Sequence, residues 1–268
     1  MLTIPTPDGA GIHATDEGRG PAVLVVHAGL DDGSQWHKVA RLLSPRHRVV
    51  RIHRRQYRLD LRPRCTMAQE ADDVRVAAAA LGGPVLLAGH SSGGVAVLEA
   101  LAAAPGAFAG AVLYEPPVVT GPPLGGEATA RTRALADAGR PGKAIEIFVR
   151  DVVGIPPFAS RLVGLYVAAA PRMRALAPRQ IDDLEAIDEL GDRLDAYAAI
   201  DAPVVLLGGD RSPAHLAARL DALERRLPNA RRVTLRGQGH SAHLRAPAEV
   251  AHVIETLATE VLTTPGNA

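Results

Sequence analysis

Short apolar runs alternate with longer segments of helical spacing along most of this chain of 268 residues. Four runs are apolar on successive residues, as expected of strands that are buried on both faces of a parallel sheet. They are Ala22–Val26, Val85–Ala88, Ala111–Tyr114 and Val204–Leu207, with Val49–Ile52 as a fifth candidate. The helical segments are Gln35–Leu43, Met67–Leu81, Val95–Ala104, Pro213–Leu227 and Ala246–Leu262. This order predicts an α/β fold whose mostly parallel sheet carries helices on both faces.

The alternation stops between Pro116 and Pro203 and resumes at Val204. The intervening stretch shows helical patterns separated by breaks that contain Pro and Gly. These patterns are Ala128–Ala138, Lys143–Val153, Ala159–Ala169 and Ile181–Ala199. We therefore expect one sheet domain with an all-helical cap inserted into it: a first core part at 1–117, the cap at 118–202 and a second core part at 203–268.

A Gly-x-Ser-x-Gly pentapeptide, Gly89 to Gly93, joins the strand-like run Val85–Ala88 to a helix-forming segment. A serine held in a strained turn at the end of a strand brings residues two positions away too close for a Cβ, which explains both glycines. The pattern predicts Ser91 as a nucleophile. It also places the backbone N–H of Ser92 at a helix N-terminus, where it can donate to an oxyanion.

A serine hydroxyl needs a nearby base to become a good nucleophile. His240 is the best candidate because the loop Gly237–His240 follows the strand-like Arg232–Leu235 and reaches the same edge of the sheet as Ser91. His243 is its nearest competitor.

The base in turn needs a carboxylate to orient it. Asp210 follows the apolar run Val204–Leu207, and the order Ser91, Asp210, His240 is the one typical of a nucleophile elbow of this kind. Glu115, at the end of another strand-like run, is the rival carboxylate. We expect Asp210 to orient the histidine.

These motifs give the chain a resemblance to the α/β-hydrolase superfamily over essentially its full length. The segment His27–Leu30 is similar to the family's His-Gly-x segment, with Ala28 in place of the usual Gly. The resemblance implies that Gly29 supplies a second oxyanion N–H. Leu113–Pro117, the helical insertion and Gly237–His240 further resemble capped members of the family.

The resemblance implies a cofactor-free serine hydrolase that cleaves a carboxylic ester, lactone or thioester of a small-molecule acyl substrate through an acyl-enzyme. Because the fold hosts many activities, cyclisation, acyl transfer or elimination without net hydrolysis stays open, as does an inert binding protein of the same shape. The candidate pocket residues are His27, Leu30, Trp36, His90 and Glu115, although Trp36 equally fits ordinary core packing.

One segment departs from the family pattern. Relatives usually carry a glycine-containing turn after the strand at Val49–Ile52, whereas residues 53–60 here contain no glycine and lie in an arginine-rich stretch, 46–64. This stretch could attract an acidic or carrier-protein-bound substrate. A solvated basic face is the alternative, and we favour it.

Composition excludes several other classes. The 30 basic and 29 acidic residues give a formal charge of +1, which provides no general field for nucleic acid or an anionic membrane. Cys65 is the single cysteine, the N-terminus lacks the features of a signal peptide, and no apolar run is long enough to span a bilayer, so we expect a cytoplasmic protein. His240 and His243 lack further ligands at suitable spacing, so no metal site is expected. The oligomeric state stays open.

Overall fold

The computed structural model describes residues 2–61 and 64–262. Its eight strands form one sheet in the spatial order β1-β2-β4-β3-β5-β6-β7-β8. The strands are β1 (Leu2–Ile4), β2 (Ile12–Glu17), β3 (Ala22–Val26), β4 (Arg48–His53), β5 (Val85–His90), β6 (Gly110–Tyr114), β7 (Val204–Gly209) and β8 (Ala230–Leu235). Strands β3 to β8 pair in parallel, while β1 and β2 pair antiparallel. The predicted α/β fold is confirmed.

Helices cover both faces of the sheet. They are α1 (His37–Leu43), α2 (Met67–Leu81), α3 (Ser92–Ala103), α4 (Glu127–Asp137), α5 (Pro141–Ile147), α6 (Pro157–Ala169), α7 (Pro171–Leu190), α8 (Leu194–Tyr197), α9 (Ala214–Arg226), α10 (Ala242–Arg245) and α11 (Pro247–Leu262), with 3₁₀ turns at Ser34–Trp36 and Arg55–Tyr57 and a π-helix at Phe148–Val152. One apolar core joins the sheet to α2, α3 and α9, and a second joins it to α1 and α11. Among the helices that the structure describes, none is long and apolar enough to cross a membrane.

Strands β1 and β2 are absent from the sequence prediction. Along β2, only Ile12 and Ala14 are buried, and the other four positions are partly or fully exposed. Because β2 is half-buried and β1 has three residues, neither gives the continuous apolar run that identifies the parallel strands.

Helices α4 to α8 lie between β6 and β7, and we call the segment Glu127–Tyr197 the helical insertion. Two of its helices differ from the predicted ones. The predicted helix Lys143–Val153 divides into α5 and the π-helix, and α7 begins at Pro171, well before the predicted Ile181. The difference at α7 arises because Pro178, which usually breaks a helix, lies inside it.

Candidate active site

Ser91 occupies the turn between β5 and α3 in a strained conformation, with φ 51° and ψ −128°. Such backbone strain costs about 1–3 kcal/mol and persists only where the surroundings enforce it. A Cβ on Gly89 would lie 2.7 Å from Gly94 Cα, and one on Gly93 would meet the carbonyl oxygens of His27 and Val26. The glycines therefore permit the close packing that the sequence pattern predicts.

Glu115 lies directly against His240. The distance from His240 Nδ1 to Glu115 Oε2 is 2.6 Å, and Glu115 Oε1 accepts a hydrogen bond from the Gly209 amide at 2.9 Å. Burial alone would raise the pKa of Glu115, but the hydrogen bond and charge of His240, together with further hydrogen bonds such as that from the Gly209 amide, outweigh it and lower that pKa below its ordinary value. An ionised carboxylate accepts only, so His240 carries its proton on Nδ1 and leaves Nε2 free to act as a base.

Asp210 does not contact His240, which corrects the sequence prediction. Its carboxylate is exposed and accepts a hydrogen bond from the Gly237 amide at 2.7 Å. The carboxylate that reaches the histidine comes from Glu115 at the end of β6, the strand next to β5. Through this hydrogen bond, Asp210 instead stabilises the turn at Gly237, where the loop that carries His240 begins.

Ser91 and His240 line one cavity together with Ser92 and Gly29, the two predicted oxyanion donors. Ser92 is the first residue of α3, so its N–H lies at the positive end of that helix. No hydrogen bond joins Ser91 Oγ to His240 Nε2. Catalytic hydrogen bonds are often long in unliganded enzymes and tighten around the substrate.

The cavity has a volume of about 270 Å³, and two of the five predicted pocket residues, Leu30 and His90, line it. The other three lie behind its wall. His27 is fully buried and accepts a hydrogen bond from the Arg54 amide, Trp36 stacks on His243 with ring centroids 5.2 Å apart, and Glu115 is covered by His240.

Most of the remaining cavity wall is apolar and comes largely from the helical insertion. Its members are Phe148, Val149, Val152, Val153, Ile155, Leu184 and Ile187. The sequence offers no signal for them, because their positions depend on how the insertion packs. Gln180 and His215 add polar groups that sequence analysis also missed.

Among the described residues that line the cavity, none is Asp, Glu, Lys or Arg. The buried histidines add no charge near neutral pH. Burial lowers the pKa of His243 to about 4, and burial likewise places the pKa of His90 well below its ordinary value. Within residues 2–61 and 64–262, no group of three or more His, Cys, Asp or Glu side chains is arranged to hold a metal ion.

In the described part of the arginine-rich stretch, the arginines are paired with carboxylates, and the side chains at its two ends, Arg46 and Arg64, are also exposed to solvent. Its side chains are paired internally with carboxylates: Arg46 with Glu255, Arg48 with Asp16, Arg51 with Glu17, Arg54 with Glu70 and Asp183, Arg55 with Asp73 and Asp8, Arg58 with Asp60, and Arg64 with Glu185. Arg51, Arg54 and Arg58 are buried. Arg62 lies outside the described residues.

The fold is that of a known family of proteins. Residues 23–253 match the model of the Alpha/beta hydrolase family, and the chain belongs to that family. Among solved structures, an α/β hydrolase from Sphaerobacter thermophilus DSM 20745 is 30% identical, with a TM-score of 0.82 over 96% of this chain and 99% of that one. The search of curated proteins found no match.

The similarity of more distant solved structures to this chain shows only that they have the same fold. A thermophilic esterase from Thermogutta terrifontis is 22% identical, with a TM-score of 0.75 over 98% of this chain and 99% of that chain. A hydrolase from Pseudomonas aeruginosa PA01 is 20% identical, with a TM-score of 0.76 over 96% of this chain and 97% of the other.

Proposed function

We propose that the protein is a serine hydrolase that cleaves a carboxylic ester, lactone or thioester through an acyl-enzyme intermediate. The observation that carries the proposal is the 2.6 Å contact between His240 and buried Glu115, beside a cavity that also holds Ser91 in its strained turn. A histidine held in this way by a carboxylate can act as a general base, because its free Nε2 can take a proton from the serine hydroxyl.

In the proposed reaction, Ser91 Oγ attacks the acyl carbonyl while His240 Nε2 takes its proton. The N–H groups of Ser92 and Gly29 stabilise the tetrahedral oxyanion, and His240 then protonates the departing alcohol or thiol. Water repeats the attack on the acyl-enzyme with the same base. Glu115 remains ionised throughout and stabilises the imidazolium that forms.

The size and the mostly apolar lining of the cavity suit a substrate whose acyl group is neutral, mostly apolar and of modest size. An acidic or phosphopantetheine-linked substrate would find no cation in the described lining. The feature of the sequence that favours the non-hydrolytic alternative is the altered turn at residues 53–60, but Arg54, Arg55 and Arg58 of that turn are engaged in internal ion pairs. Nothing in the cavity favours it over hydrolysis.

Labelling with a fluorophosphonate probe and a panel of p-nitrophenyl esters test the proposal. We expect the wild type to label, and Ser91→Ala to abolish labelling and lower kcat by about 10³-fold or more, as for loss of a nucleophile in other serine hydrolases. Ser44→Ala, on a serine outside the cavity, is the matched control and should keep full activity. Ester turnover that persists in Ser91→Ala would overturn the assignment.

A further inference from the structure

Arg54 is a buried side chain that contacts both segments carrying the proposed oxyanion donors. Its Nη1 donates to Ser92 Oγ at 2.7 Å and to the His27 carbonyl at 3.3 Å. Ser92 begins α3, and His27 lies two residues before Gly29. The guanidinium of Arg54 therefore contacts the N-terminus of α3, which carries the Ser92 N–H, and also contacts the segment that leads to the Gly29 N–H.

The backbone of Arg54 adds a second link to the Gly29 side. Its amide donates to His27 Nε2 at 3.0 Å, so the proton of that imidazole sits on Nδ1, which donates to the Ala28 carbonyl at 2.7 Å. The Ala28 carbonyl and the Gly29 N–H belong to one planar peptide unit and point in opposite directions. Fixing the carbonyl therefore fixes the direction of the Gly29 N–H.

Two buried carboxylates hold the guanidinium in this orientation. Arg54 Nε donates to Glu70 Oε2 at 2.8 Å and Nη2 to Asp183 Oδ1 at 2.8 Å, while the Tyr57 ring lies 5.2 Å from Cζ. Burial alone would lower the pKa of Arg54, but the charges of Asp183 and Glu70 outweigh it and hold that pKa well above its ordinary value. The arginine is fully charged, and its rigid fork leaves Nη1 aimed at Ser92.

The charge of Arg54 is offset by these two carboxylates, so its effect on the reaction lies in geometry and not in a net positive field. Resting on the proposed function, we infer that Arg54 is a positioning residue for the oxyanion hole, setting the N–H groups of Ser92 and Gly29 at the spacing that the tetrahedral intermediate requires. Asp183 belongs to α7, so the helical insertion takes part in fixing that spacing.

Ser92→Ala is the mildest test, because it removes the hydroxyl that Arg54 holds and leaves the Ser92 N–H in place. We would measure kcat and KM with p-nitrophenyl butyrate, and inhibition by phenylboronic acid, which forms a tetrahedral adduct on an active serine. Loss of a complete oxyanion donor costs about 10²–10³-fold in kcat. A misplaced donor should cost less, so we expect kcat and boronate affinity to fall together by about 3- to 30-fold while KM changes less than twofold.

Arg54→Lys tests the arginine itself, since an ammonium keeps the charge but lacks the fork that reaches Glu70, Asp183 and Ser92 at once. We expect a larger parallel loss of kcat and boronate affinity. The double variant should lose less than the product of the two single effects, because both disrupt one interaction. Arg55→Lys is the matched control: this neighbouring arginine pairs with Asp73 and Asp8 and contacts neither Ser92 nor His27.

The outcomes separate this inference from the proposed function. If the wild type neither labels with fluorophosphonate nor hydrolyses esters, the proposed function fails and the inference falls with it. If the wild type is active, the inference alone is overturned when Ser92→Ala and Arg54→Lys lower only thermal stability, or when Arg55→Lys loses as much kcat as Arg54→Lys. Should Arg54→Lys fail to fold, Ser92→Ala decides the matter by the same readouts.

Discussion

Buried ionisable residues near the proposed nucleophile have charge states set by burial and by their immediate partners. Glu115 stays ionised because His240 and the Gly209 amide compensate for its burial. Asp31, in the loop that follows Gly29, is 5% exposed, and burial raises its pKa to about 6. The backbone hydrogen bonds that Asp31 accepts do not offset its burial, so its ionisation should work against folding.

Asp31→Asn should therefore stabilise the protein at alkaline pH. A folded-state pKa above the unfolded value contributes stability that is present below about pH 4 and lost as pH rises through about 6. At roughly 1.4 kcal/mol for each pKa unit, Asn should raise the free energy of unfolding by about 3 kcal/mol at pH 8 and by little near pH 4. Urea unfolding at the two pH values measures this.

Asp32→Asn provides the opposite control. Burial alone would raise the pKa of Asp32, but hydrogen bonds from Ser34 and Arg172 outweigh it and lower that pKa to about 2. Its ionised form supports the fold, so this variant should be destabilised at pH 8 and less so as pH falls through about 4 and below. A gain from Asp31→Asn that is equal at both pH values would contradict the account of Asp31.

The π-helix contributes three apolar side chains to the wall of the cavity. Phe148, Val149 and Val152 all line the cavity, and Val153, which follows them, accepts a hydrogen bond from His215 Nε2 of α9 at 2.8 Å. This bond ties the helical insertion to the sheet domain beside the site. A π-helix is wider than an α-helix and is often found at functional sites.

Phe148→Ala should lengthen the preferred acyl chain of the substrate. Removing the ring opens space that additional methylenes can fill, and each buried methylene is worth about 0.8 kcal/mol, or roughly fourfold in kcat/KM. The measurement is kcat/KM for p-nitrophenyl esters from acetate to decanoate. Phe158→Ala makes the same change at a side chain that is 77% exposed and outside the cavity, so it should leave the profile unchanged. An identical profile for all three proteins would contradict this assignment of the cavity.

The sequence predicts some strands and helices better than others, and the reasons are physical. The central parallel strands are buried on both faces, so runs such as Val85–Ala88 stand out, whereas β2 buries two side chains and gives little pattern. Helix α7 continues through Pro178, a residue that usually breaks a helix, so the part of α7 before Ile181 is not evident from the sequence. Local pattern thus identifies the core of the sheet better than its edge or the helical insertion.

At the scale of the whole molecule, the site joins three separate stretches of chain at one edge of the sheet. The pentapeptide around Ser91 can be predicted from the sequence because it follows the buried strand β5, and the loop that ends at His240 because it follows a strand-like segment and precedes a helix. The choice between Asp210 and Glu115 cannot, since both carboxylates follow neighbouring parallel strands. Glu115 is the carboxylate that packs against His240. This contact depends on how the chain folds and cannot be inferred from local sequence. For the same reason, the sequence does not show that Arg51, Arg54 and Arg58 are buried and paired with carboxylates.

The most direct test of the central claim compares Glu115→Gln with Asp210→Asn, since each variant keeps the size of its side chain and removes only the charge. We predict that Glu115→Gln lowers kcat and the rate of fluorophosphonate labelling by up to about 10⁴-fold, because the amide no longer favours the required tautomer of His240. Asp210→Asn can still accept from the Gly237 amide and should stay within a few-fold of the wild type. Full activity in Glu115→Gln together with its loss in Asp210→Asn would contradict the account.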